Sequence, residues 1–370
     1  MMALSVVVIG GGIIGCSIAY ELAKAGCRVT VLERATPGAE ASSAAAGLLA
    51  PLGESSKPDP FHELAIASWR LYPGVVSELR DVTSVDVEYM TAGTLYPIGA
   101  AEERRDALDR AAWPLAREFG VRVLEGAELH RMEPALSRDI TAALFVQGDH
   151  WVNNQRLVAA YAAAAAGRGV LIRSGVEASG VVIERNRAVG VMVGAERLNA
   201  ERVVLAAGAW SGVLAAQLGL NLPVTPVRGQ MLAVSNVPPL LTHAIHGPQG
   251  YLTPRPSGEL LIGATVEHVG FARAVTPDGL AHLLTGALAT VPEIGRRPIT
   301  RSWCGFRPWA PDSLPVLGPW PGIEALYVAT GHYRNGILLA PATASLMSQC
   351  ILDGETPALL KPFLPDRFVK

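Results

Sequence analysis

Leu4 and the run Val6-Val7-Val8-Ile9 are apolar and lead straight into Gly10-Gly11-Gly12-Ile13-Ile14-Gly15. Apolar positions then recur at helical spacing from Ile18 to Lys24, and Gly26 ends that pattern. A second apolar run, Val29-Thr30-Val31-Leu32, stops at Glu33. The pattern predicts strand, glycine turn, helix and strand, closed by an acid about twenty residues beyond the first glycine. That is the layout of a dinucleotide-binding βαβ unit. Gly10 permits the tight turn, Gly12 leaves room for a pyrophosphate, and Gly15 lets helix and strand pack closely. The helix start offers N–H groups and a positive dipole end to phosphate. Glu33 can accept from a ribose diol, and its charge disfavours a 2′-phosphate. Gly10, Gly12, Ile13, Ile14, Gly15, Glu33 and the adjacent Arg34 are the nucleotide-binding candidates of this unit.

Further on, the pattern alternates. His62 to Arg80 and Glu102 to Gly120 read as helices and Val87 to Pro97 as a strand. Asp149 to Arg168 reads as a helix, and Val170 to Gly194 as three short strands. Arg202 to Trp210 is a buried strand running into a small-residue turn. Arg228 to Val234, Gly250 to Pro254 and Glu259 to Ala264 look like antiparallel strands separated by Pro, Gly and Ser. Thr276 to Val291 is a helix, Leu326 to Gly331 a strand entering a turn, and Ala340 to Leu352 the final helix; Pro362 to Lys370 reads as surface coil. Strand–turn signals at both ends imply one cofactor domain assembled from distant segments.

Composition narrows the classes. The chain has 370 residues, half of them hydrophobic and 17% charged, with a net charge of −2. Two domains are the natural expectation for that length. The near-neutral charge argues against a nucleic-acid binder. Gly, Pro or charge interrupts each apolar run before the ~18 to 20 residues of a membrane span. Ile13-Ile14-Gly15-Cys16 imitates a lipoprotein cleavage box, but no Lys or Arg precedes it and glycines break the apolar run, so an exported lipoprotein is not expected. Cys16, Cys27, Cys304 and Cys350 lie far apart without paired metal-ligand spacing, so neither a metal site nor disulfides are expected. The expected setting is a reducing cytoplasm.

Four more segments then take on meaning. They are Ala41-Ser42-Ser43-Ala44-Ala45-Ala46-Gly47-Leu48-Leu49-Ala50-Pro51, Val203 to Trp210, Trp303 to Asp312, and Gly331-His332-Tyr333-Arg334-Asn335-Gly336-Ile337. With Gly10 to Glu33, and in this order, they make the chain resemble the D-amino-acid oxidase superfamily of flavoproteins, on the glycine-oxidase side. The resemblance covers essentially the whole chain. It implies an α/β fold with a Rossmann-like FAD-binding domain, interleaved with an α+β substrate domain on a mixed, mostly antiparallel sheet. The implied segments are 1–85, 146–222 and 300–370 for the FAD domain, and 86–145 and 223–299 for the substrate domain.

The implied cofactor is FAD, held non-covalently. One G-x-G-x-x-G leaves no obvious Rossmann site for a second nucleotide. In the family the 41–47 stretch lies along pyrophosphate and flavin, where small side chains let a planar ring approach the backbone. Ser42, Ser43, Ala45, Ala46, Gly47 and Leu48 are the candidates there. Val176 resembles the residue whose backbone meets adenine and Gly208 the one that closes the turn beneath the cofactor, with Ala207 and Trp210 as neighbouring cofactor-binding candidates. The loop Gly331 to Ile337, with His332, Tyr333, Arg334, Asn335, Gly336 and Ile337, resembles the one reaching the pyrimidine end of the flavin, and Gly305 and Arg307 are further cofactor-binding candidates.

Arg307 is a charge in a turn-rich segment, and its planar fork suits a carboxylate. It matches the family's carboxylate-binding arginine. Tyr251 matches the tyrosine whose hydroxyl joins it, and Arg334 a residue whose backbone carbonyl faces the substrate amine. These three are the catalytic candidates. Cys304 lies near the place where sarcosine oxidases attach flavin, at a different spacing, and is read as a small buried thiol. Where this chain has Val266 after Gly263-Ala264-Thr265, glycine oxidases often carry Met, so a roomier pocket is expected.

The resemblance implies oxidative deamination of glycine, other small amines or D-amino acids by hydride transfer to flavin N5, with dioxygen reduced to hydrogen peroxide. The alternative is a D-amino-acid or sarcosine dehydrogenase feeding a quinone or carrier. A nicotinamide-dependent dehydrogenase and a non-catalytic flavin module are the rivals from other classes; a colourless protein would mark the first, and Arg307 counts against the second. The family also implies a homo-oligomer and, for glycine oxidases, an imine supplied to thiamine biosynthesis.

Overall fold

The computed structural model describes residues 3–53, 59–99, 101–247 and 249–369. Its first sheet has six strands in the spatial order Val316–Pro319, Leu326–Thr330, Arg202–Leu205, Ser5–Ile9, Arg28–Glu33 and Leu171–Ser174. All neighbours run parallel except the antiparallel edge strand Val316–Pro319. Alternation divides the central strand between two cores. Val6 and Val8 face an apolar layer built from the helices Ile13–Lys24, Pro60–Thr83, Asn154–Gly167 and Gly336–Asp353. Val7 and Ile9 face the other way, onto a three-stranded antiparallel sheet that supplies Ala188 and Val191.

A second sheet has eight strands, in the order Ile299–Trp309, Thr225–Ser235, Glu259–Gly263, Gly250–Pro254, Ala244–Gly247, Thr94–Pro97, Ala142–Val146 and Val121–Glu125. Only Ala244–Gly247 against Thr94–Pro97 is parallel. The helix Pro277–Thr290 covers one face, packing Leu283 and Ala287 on Leu232, Val234 and Ile262. The opposite face carries Met231, Ala233 and Leu261 toward Ala46 of the first half. The implied segmentation places 300–309 with the FAD domain, yet that strand pairs along its length with Thr225–Ser235. We propose that the boundary falls near residue 310.

Some elements depart from their sequence pattern. Only Thr94–Pro97 of the expected 87–97 strand is extended in a sheet, because Gly93 just before it sits at φ +93°. The 102–120 helix stops at Ala111, short of Trp113-Pro114, since the residue before a proline disfavours helix. The 149–168 helix begins at Asn154, with the Asn153 side chain accepting from Arg156 N at 3.2 Å. His150–Trp151 instead pairs with Leu48–Leu49. The C-terminal stretch forms two short 3₁₀ turns and buries Phe363 rather than running as surface coil; Lys370 lies outside the described residues.

The last helix starts at Gly336, four residues earlier than its pattern suggests, and runs through Pro341. Proline removes the N–H that would reach Ile337 O. The Tyr72 hydroxyl donates to that carbonyl instead. Ser68 repairs the next position: its hydroxyl donates to Leu338 O at 2.7 Å and accepts from Ala342 N at 3.1 Å. By length and composition this helix could cross a membrane, but two-thirds of its apolar window is buried, 67%, and it forms the centre of the first core.

Candidate active site

A cavity of about 1450 Å³ runs from the glycine turn of the first sheet to the inner face of the second. At its nucleotide end Gly10 sits at φ +108°, and a β-carbon there would lie 2.4 Å from Ala206 O. Gly15 packs so closely that a β-carbon would stand 1.9 Å from Gly10 O; it shapes the turn without lining the cavity. The helix start at Gly12 has no side-chain cap of its own. Ser42 reaches in from the small-residue segment, and its Oγ accepts from Ile13 N at 3.0 Å. Glu33 accepts from Gly11 N at 2.8 Å through Oε2 and from Ala35 N at 2.9 Å through Oε1. Its carboxylate therefore braces the turn while keeping lone pairs for a ribose.

Of the cofactor candidates, Gly10, Gly12, Ile13, Ile14, Glu33, Arg34, Ser42, Ala45, Ala46, Gly47, Leu48, Val176, Ala207, Gly208, Trp210, Gly305, Arg307, His332, Tyr333, Arg334, Asn335, Gly336 and Ile337 line this one space. Ser43, like Gly15, does not; its carbonyl accepts from Asn154 Nδ2 at 3.1 Å. Arg34 turns to the rim, where its guanidinium lies 3.7 Å from the Trp210 ring centroid and pairs with Glu40 at 2.7 Å. Phe271 stacks on Trp210 at 4.8 Å.

The residues fit a flavin dinucleotide. The 44–47 segment presents no side chain larger than alanine, and a β-carbon at Gly47 would fall 2.1 Å from Val152 O. His332 is 3% exposed, its Nε2 lies 3.2 Å from Thr343 Oγ1, and burial pushes it down to about 3, so it is neutral at physiological pH. Tyr333 occupies φ +49° and donates its N–H to Pro308 O at 2.8 Å, which directs the loop into the start of the Gly336–Asp353 helix. When bound, FAD supplies a two-electron acceptor, and these residues supply its bed.

The substrate candidates meet on the second sheet. In register, Tyr251 stands opposite Gly263, Gly263 opposite Met231, and Met231 opposite Trp303. With no side chain at 263, the Tyr251 hydroxyl crosses over that strand and reaches Met231 Sδ at 3.6 Å. Arg307 lies on the same face, with Nη1 donating to Thr265 O at 2.9 Å. Burial raises Tyr251, and contact with Arg307 followed by the charges of Arg255 and Arg334 pulls it back. The hydroxyl therefore stays protonated and able to donate.

Sequence reasoning missed the support around this pair. Glu267 lines the cavity and receives Arg228, the Gln230 amide at 2.8 Å and the Thr265 hydroxyl. Burial tends to raise Glu267, but hydrogen bonds from Arg228, Thr265 and Gln230 hold it below the usual carboxylate range. The available signal was Arg228-Gly229-Gln230, two polar residues and a glycine inside an otherwise apolar strand. Cys304, opposite Gln230 in register, does not line the cavity. Among the described residues no cluster of metal-ligating side chains forms.

The sequence model of the family described as FAD dependent oxidoreductase matches residues 5–350. The chain belongs to that family. This oxidoreductase is 40% identical over 373 residues to the bifunctional protein ThiO/ThiG of Trichormus variabilis, covering 100% of this chain and 56% of that protein. The chain thus spans about half the length of such ThiO/ThiG relatives. It is 38% identical to the glycine oxidase of Geobacillus kaustophilus over 368 residues, 98% of this chain and 97% of the relative. The crystal structure of glycine oxidase from that organism superposes with a TM-score of 0.92 at 36% identity, over 99% of both chains. The expected α/β fold and the FAD requirement are those of the family.

Proposed function

We propose that this oxidoreductase oxidises glycine and other small amines or D-amino acids, with dioxygen as electron acceptor. One observation carries the reading: Arg307 and the Tyr251 hydroxyl converge on one face of the second sheet, at the inner end of the cavity whose other end is built for a dinucleotide. A planar guanidinium and a protonated phenol together match a carboxylate. The similarity to glycine oxidases supports the choice of substrate class.

The residues would act by placement. Arg307 and Tyr251 would hold the carboxylate and the Arg334 backbone would face the amine, turning Cα–H toward the flavin bed; the bound cofactor would supply hydride-acceptor chemistry there. The amine arrives neutral, and no general base is invoked. Orientation of this kind removes much of the entropic part of a barrier. The start of the Gly336–Asp353 helix opens on the cavity, and its dipole would favour negative charge on a group bound there. For glycine the sum balances: glycine, dioxygen and water give glyoxylate, ammonia and hydrogen peroxide.

The test is oxygen uptake by the purified yellow protein with glycine, sarcosine, D-alanine and D-proline, with peroxide assayed alongside. Stoichiometric uptake and peroxide are the expected result. Flavin bleaching by an amine under anaerobic conditions, without oxygen consumption in air, would replace dioxygen with a quinone or carrier. No bleaching by any amine would overturn the substrate class.

A further inference from the structure

Arg255 belongs to the hairpin that joins Gly250–Pro254 to Glu259–Gly263, yet its side chain leaves the second sheet and enters the first half of the molecule. It is 6% exposed. Among the described residues no carboxylate lies within ion-pair distance of it. Its terminal nitrogens donate to neutral oxygens: Val152 O, Ala46 O at 2.7 Å and Asn154 Oδ1 at 2.8 Å. Burial lowers it to about 10, so the charge persists at neutral pH.

Asn154 extends the contact. Its Nδ2 donates to Ser42 O at 2.6 Å and Ser43 O at 3.1 Å. The guanidinium and the amide thus hold the carbonyls of residues 42, 43 and 46 from one side. In a trans peptide the next N–H points opposite to the carbonyl. Fixing Ala46 O on Arg255 therefore turns Gly47 N–H away from the guanidinium. Ala46 and Gly47 both line the cavity. A buried cation is costly to desolvate, and here its direct partners are all neutral oxygens, with the Glu88 and Glu259 charges acting only beyond ion-pair distance, so apolar packing would stabilise the fold at least as well. What apolar packing cannot do is fix three carbonyls of one short segment.

We propose that Arg255, acting with Asn154, is a positioning residue for the cofactor: it sets the backbone shape of the 42–47 segment and so controls how tightly FAD is retained. It touches neither reacting atom. Its effect falls on flavin binding, whereas Arg307 and Tyr251 act on the substrate. The inference depends on the FAD site and not on which amine is oxidised, and its test uses no substrate for the deciding readout.

The experiment compares wild type with Arg255→Met, Arg255→Lys and Asn154→Ala. FAD is stripped, the apoprotein titrated with FAD by flavin absorbance, and the melting temperature of the apo form recorded. Expected is at least a tenfold weaker FAD dissociation constant for Arg255→Met. Arg255→Lys recovers part of the loss, since a point charge cannot reach all three oxygens. Asn154→Ala weakens FAD at least threefold, and the amine KM at saturating FAD moves less than threefold in each folded variant. A lower apo melting temperature with FAD affinity within twofold of wild type would mean a structural role only and overturn the proposal. If Arg255→Met does not fold, Asn154→Ala decides: affinity within twofold of wild type overturns it, and a threefold or larger loss supports it.

Discussion

The guanidinium of Arg307 occupies the space above Gly229: a β-carbon at residue 229 would stand 2.5 Å from Arg307 Nη1 and 2.6 Å from Cζ. Gly229 pairs with Gly305, and a β-carbon at 305 would in turn lie 2.4 Å from the β-carbon of Ala44. Two facing glycines therefore clear room on one face of the sheet, Gly229 for the proposed substrate anchor and Gly305 for the cofactor segment.

Gly229→Ala is expected to displace Arg307 and to reproduce much of the defect of Arg307→Ala without touching the anchor itself. Loss of a charge-assisted pair of ~1.5 to 3 kcal/mol corresponds to roughly a 10- to 100-fold higher KM for glycine. Both variants should remain yellow. Steady-state kinetics on the flavin-loaded proteins checks this; an unchanged KM in Gly229→Ala would mean that the sheet yields and the arginine stays in place.

Tyr251→Phe keeps the ring and removes one neutral donor, so a smaller rise in KM, about three- to tenfold, is expected. Gly263→Ala should have a similar effect, because its β-carbon would fall 3.0 Å from the Tyr251 hydroxyl and 2.8 Å from Met231 Cε. The double variant should then be no worse than the more impaired single one, which a double-mutant cycle measures.

Val266 lines the cavity and is 55% exposed. Val266→Met adds length at the open end of the pocket, so activity on bulkier amines should fall several-fold relative to glycine. Relative rates for glycine, sarcosine and D-proline give the answer; unaltered ratios would remove Val266 from the specificity wall.

Acid should destabilise the protein through His332. Its folded-state value, about 3, lies below the ordinary histidine value, so the unfolded chain takes up a proton that the folded one refuses. Stability is then complete above about pH 6.5 and falls by about 1.4 kcal/mol per unit as the pH drops toward the folded value. Melting temperatures between pH 7.5 and 4.5 should fall less steeply in His332→Gln than in wild type. Parallel slopes would assign the acid limb to other groups, such as His150, which burial lowers to about 4.

Most of the nucleotide end was legible because its signals are local. Gly10, Gly12 and Gly15 sit within one turn, and the small-residue segment 41–47 is contiguous. Arg307 stood out as a charge among Gly, Pro and Trp. The floor beneath it was hidden, since Gly229 and Gly263 acquire their meaning only from the register that sets them opposite Gly305 and Tyr251. Arg255 was hidden for the same reason: a charged residue in a Pro-Ser-Gly hairpin reads as surface until the fold brings Ala46 and Asn154 against it. The early start of the last helix was illegible because the groups that tolerate Pro341, Ser68 and Tyr72, lie on another helix.

The strand Ile299–Trp309 bears on both proposed partners of the reaction, since Gly305 abuts the cofactor segment and Arg307, the proposed substrate anchor, follows two positions later on the same face. Two residues of extended chain span roughly 6.8 Å. The strand is thus a ruler with two marks, and the spacing from the glycine that abuts the cofactor segment to the proposed carboxylate anchor is a covalent length rather than a balance of contacts. Rocking of the two halves against each other would leave that length unaltered, whereas one residue inserted between the marks would turn the arginine to the opposite face.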